Sequence, residues 1–70
     1  MIPLIFAGEN DLNTIKKVSG NPAVRKHLED LGFVAGGDVM IVSRIGGNVI
    51  VRVKDARVAV SEELARRIMI

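Results

Sequence analysis

Seventy residues, 49% of them hydrophobic, with ten Lys and Arg against eight Asp and Glu, describe one small domain over residues 1 to 70. No cysteine and a single histidine exclude a disulfide framework, a thiolate metal centre and a histidine-built zinc site. A net charge of +2, scattered basic residues and only Phe6 and Phe33 as aromatics count against a nucleic-acid binder, so no nucleic acid is expected as partner.

The apolar runs fall far short of the ~20 residues that cross a bilayer, and "MIPLIFAG" lacks the basic flank of a secretory leader. No direct membrane insertion is expected. The expected setting is cytoplasmic, peripheral to a membrane only through a partner. Eighteen residues are Ile or Val, and the mean hydropathy is positive. A chain this short buries only about 60% of its unfolded surface. Either a dense core or apolar surface covered by a partner or a second copy accounts for that surplus.

In chain order, "PLIFA" is apolar and "GEND" is turn chemistry. "LNTIKKV" then reads as a first strand, although Leu12, Ile15 and Val18 are spaced nearer to a helix. "NPAVRKHLEDLGF" predicts a helix over 22–31. Asn21 is the N-cap, and Pro22 sits where its missing N–H costs nothing. Val24, Leu28 and Leu31 form one apolar stripe. Gly32 can take the left-handed conformation that ends a helix, with Phe33 folding back onto Leu28. From Asp38 the period becomes two. Val39, Ile41 and Ile45 share one face, and Met40, Val42 and Arg44 the other. "GGN" is a hairpin turn, "NVIVRVK" a second alternating strand, "DA" another tight turn and "RVAV" a third strand with Val58 and Val60 inward. Ser61 caps a short last helix led by Glu62 and Glu63. Leu64, Ala65 and Ile68 face inward, and "IMI" can close the sheet. Short strands in a meander, with one helix early and one late, predict an all-β domain with short helices: a small closed or nearly closed barrel.

Catalytic constellations are missing. Ser19, Ser43 and Ser61 have no local base, and the carboxylates fall in turn, helix-surface and helix-start positions, so no enzyme is expected. "GFVAGG" lacks the Lys-Ser/Thr of a phosphate loop and precedes a strand. His27 and Asp30 have a loose ligand spacing that Glu29 and Glu62 could join, but one imidazole with unplaced carboxylates reads as solvated surface. No metal site and no cofactor are expected.

Across the whole chain the order of these elements resembles the ferrous iron transport protein A (FeoA) family. The carrying segments are "PLIFAGEN", "TIKKVSG", "VRKHLEDLGFVAGGDVMIV" and "GGNVIVRVKDARVAVSEELARRIMI". The sequence departs from that pattern at Ala35, where a proline is common, and at "KDAR", where a glycine turn is common. The resemblance implies an SH3-like barrel of about five strands. It also implies a small accessory protein that regulates or assembles the membrane ferrous iron transporter FeoB. The alternative is a metal-sensing or nucleic-acid-binding module related to the C-terminal domain of iron-dependent repressors. The face of the 22–31 helix left after its stripe is buried carries Arg25, Lys26 and Glu29. With Phe33 and Val34 beside it, this is the expected partner-binding surface. One of those two residues is needed for the cap contact, which leaves the other free as an apolar anchor. The strand surface with Arg44, Arg52 and Lys54 is the second choice.

Overall fold

The computed structural model describes all 70 residues. Its centre is a meander of β3 (Asp38–Ile45), β4 (Asn48–Val53) and β5 (Ala56–Ser61). The alternation seen in the sequence drives it. Val39 lies opposite Val53, Ile41 opposite Val51 and Val49 opposite Val60, and all six are buried. Gly46, at φ +59°, makes the first turn with Gly47. Lys54, at φ +53°, makes the second with Asp55, one residue earlier than expected. The alternation fails in one place. The register shifts between Ile41 and Ser43, a β-bulge, so Ile45 is not inward as expected but 64% exposed.

The expected first strand divides in two. β1 (Asn13–Thr14) pairs with β3, whereas β2 (Lys17–Val18) pairs with β6 (Ile68–Met69). Ile15 sits buried at the corner. Its N–H donates to Gly37 O at 2.8 Å, and its carbonyl accepts from Gly36 N at 2.7 Å. The result is a four-stranded sheet, β1-β3-β4-β5, and a two-stranded sheet, β2-β6, wrapped around one core. Six short strands thus stand where about five were expected. The far edge of β6 meets the start of the chain, with Ile2 and Ile70 exchanging hydrogen bonds of 2.9 and 2.8 Å. All 13 buried residues are apolar.

Helix α1 (Pro22–Asp30) begins as its caps dictate: Asn21 Oδ1 accepts from Val24 N at 2.9 Å. Leu31 is the C-cap, Gly32 takes φ +110°, and Phe33 N donates to Leu28 O at 3.0 Å. Leu28 and Phe33 are fully buried, each worth about 1.5–3 kcal/mol of burial, while Val24 and Leu31 are half-buried. The short α2 (Glu62–Ala65) is capped by Ser61 Oγ, which accepts from Leu64 N at 3.2 Å. It buries Ala65, while Leu64 and Val58, both expected inward, are half-buried.

Candidate functional site

The end of α1 and the turn into β3 frame a shallow cleft of about 250 Å³ lined by Val18, Arg25, Glu29, Phe33, Val34 and Ala35. Helical spacing puts Arg25 and Glu29 one turn apart on the same face. Both are exposed, and neither takes part in an ion pair. Lys26 lies outside the cleft and pairs instead with Asp30 at 3.8 Å, an exposed contact of little energetic weight. The choice between Phe33 and Val34 is resolved by packing. Phe33, expected among the partner-contacting residues, has no exposed surface because it fills the core beneath the helix cap, so it contributes only the floor of the cleft. Val34 is 36% exposed.

Val34 is also held firmly. Gly37 N donates to Val34 O at 3.0 Å, and Gly36 N reaches back to Ile15. A Cβ at position 37 would stand 3.2 Å from that same Val34 oxygen, so only glycine fits the turn without displacing it. The cleft therefore offers an apolar floor and rim between one unpaired cation and one unpaired carboxylate. Such a surface suits docking of another protein. His27 is exposed on α1, and no three His, Asp or Glu side chains gather into a metal-binding group.

The second-choice surface is divided in the same way. Arg44 is not free: its Nη2 donates to Ile5 O at 2.8 Å and Ala7 O at 2.7 Å, and its Nη1 lies 3.8 Å from Glu9. It clamps the N-terminal segment to the sheet. Its role had no signal in the sequence, because the partners are 39 and 37 residues away. Arg52 and Lys54 do remain exposed, beside Leu12 and Met40, on an open cavity of about 450 Å³.

Strands wrapped in two small sheets, with a helix and a shallow cleft beside them, define an SH3-like module, the description given to one of its structural neighbours. The chain belongs to the FeoA family, whose domain matches residues 2–70. It is 29% identical, over all 70 residues and 85% of the relative's length, to a Methanocaldococcus jannaschii chain named as an Fe(2+) transport protein A. A crystal structure of FeoA, described as an iron uptake regulatory protein, superposes with a TM-score of 0.86 at 25% identity, covering 96% of this chain and 89% of the other. The zinc complex of Stenotrophomonas maltophilia FeoA gives 0.82 at 26%, covering 94% and 85%. A manganese-dependent transcriptional repressor shares the fold alone: TM-score 0.84, 19% identity, 94% of this chain but 38% of the repressor. No helix here is long and apolar enough to cross a membrane.

Proposed function

We propose that this chain is an accessory protein of ferrous iron uptake that docks on the cytosolic domain of the membrane transporter FeoB and regulates or assembles it. The observation that carries this reading is membership of the FeoA family over residues 2–70. The S. maltophilia relative has been put forward as a bacterial ferrous iron transport activating factor, and this chain covers 85% of it. The docking face is the α1 cleft: Val34 is the apolar anchor, Arg25 and Glu29 set the register by charge, and Lys26 lies outside the cleft on the same helix. The likeness to the repressor extends to the fold only and supports no metal-sensing or DNA-binding reading.

The test is binding to the purified cytosolic domain of FeoB by Arg25→Glu, Lys26→Glu and Val34→Asp variants, each first shown to be folded. Binding should fall in Val34→Asp by about tenfold or more, the equivalent of about 1.4 kcal/mol, and less in the other two. Parent-like binding by all three removes the α1 cleft as the docking face. Failure of the parent chain to bind at all removes the transporter as partner.

A further inference from the structure

The outer face of the four-stranded sheet carries a row of cations that form no ion pair within the molecule. The register places Met40 opposite Arg52, and Arg52 opposite Arg57, so the three side chains form one line across β3, β4 and β5. Lys54 follows two positions after Arg52, in the turn. The two ion pairs of the fold are Lys26–Asp30 and Arg44–Glu9, and none of these three cations takes part in them. Like charges directly opposite one another on neighbouring strands are destabilising. The β4–β5 hairpin thus sets two like charges opposite one another in an otherwise regular register.

At its β3 end this row opens into the cavity of about 450 Å³. Leu12, 65% exposed, and Met40 give that cavity an apolar wall beside Arg52 and Lys54. Asp38 and Asp55 also line it, yet neither comes within 4.0 Å of a basic group. The cavity shares no residue with the α1 cleft, so the two surfaces can be tested separately.

We propose that this face is a second docking surface, for an acidic segment of a partner protein that carries an apolar side chain among its carboxylates. The carboxylates meet Arg52 and Arg57, where charge-assisted hydrogen bonds relieve the repulsion. The apolar side chain packs against Leu12 and Met40. A second copy of this chain meeting it face to face is a poor occupant, because the matching face of that copy is cationic as well. A nucleic acid or an anionic bilayer would answer the charge and leave the apolar wall unused.

The experiment is an amide NMR titration of the full chain with a short peptide of glutamates around one leucine. Alongside it run a glutamine-for-glutamate peptide, an alanine-for-leucine peptide, oligothymidylate and phosphatidylserine vesicles. The acidic peptide should shift the amides of Met40, Arg52 and Arg57 saturably, and both altered peptides should bind at least about tenfold more weakly. Arg57→Glu separates binding from folding. It replaces a like-charged cross-strand pair by an opposite one, so the variant should melt at or above the parent's temperature while losing about tenfold in peptide affinity. Arg57→Gln should lose affinity in the same direction without the new pair. Arg66→Glu, the same charge change at the end of α2, should bind like the parent. The proposal is overturned if Arg57→Glu and Arg57→Gln bind like the parent, if Arg66→Glu loses as much, if the glutamine or alanine peptide binds equally well, or if oligothymidylate or vesicles bind these amides more tightly than the acidic peptide.

Discussion

Replacing Arg44 by methionine keeps the apolar stem and removes the clamp on the N-terminal segment. Hydrogen bonds from a charged donor are worth about 1.5–3 kcal/mol each when well shielded. Those to Ile5 O and Ala7 O lie at the exposed and part-buried edge of the fold, which reduces each to about 1 kcal/mol. The Glu9 contact, at 3.8 Å between side chains 36% and 48% exposed, adds well under about 1 kcal/mol. Arg44→Met should therefore destabilise the protein by about 2 kcal/mol. For a domain of this size that lowers Tm by roughly 8–16 °C. Thermal unfolding measures the total, and native-state hydrogen exchange locates it. The amides of Phe6, Ala7 and Asn10, bonded to Pro3, Leu4 and Ile41, should exchange faster, ahead of those in β4. A Tm within about 2 °C of the parent, or an unchanged exchange pattern at these amides, would refute the clamp.

Leu28→Ala should cost about 2–5 kcal/mol in chemical denaturation, because Leu28 has no exposed surface and underlies both the helix and Phe33. Gly32→Ala should cost about 1–3 kcal/mol through its φ of +110° rather than through a clash, since the nearest atom to a new Cβ is 3.6 Å away; an unchanged unfolding midpoint would contradict that. Anaerobic calorimetry with ferrous iron should show no stoichiometric tight binding to the isolated chain; a sub-micromolar site abolished by His27→Ala would overturn this.

What was legible in the sequence was local. Asn21, Pro22 and Gly32 mark the ends of α1 because a cap is chemistry within a few residues. The Gly46–Gly47 turn and the valine alternation around it set the meander for the same reason. The division of the first strand had no breaker to announce it. Ile15 and Lys16 leave one sheet for the other because of hydrogen bonds to Gly36, Gly37 and Met69, distant in sequence. The bulge after Ile41 was equally silent, since the apolar alternation runs straight through it, and Ile45 was misplaced as a consequence. In the candidate site Arg25 and Glu29 could be placed on one helix face by their spacing, whereas Lys26, expected with them, lies outside the cleft. Which of Phe33 and Val34 would be spent on the core depended on packing, and so did the loss of Arg44 from the free strand surface.

The pairing of β2 with β6 has a consequence for the order of events during folding. The β3–β4 and β4–β5 hairpins close over two-residue turns, contacts local enough to form early. The contacts that seal the fold are of another kind. Ser19 binds Arg67 across 48 residues, and Ile2 meets Ile70. Closing loops of that length is slow and brings no reward until both ends are present. Until these contacts close, a formed meander leaves its apolar face uncovered. During that interval Val49, Val51 and Val53 are exposed to solvent, and to any chaperone that binds short β-branched strands.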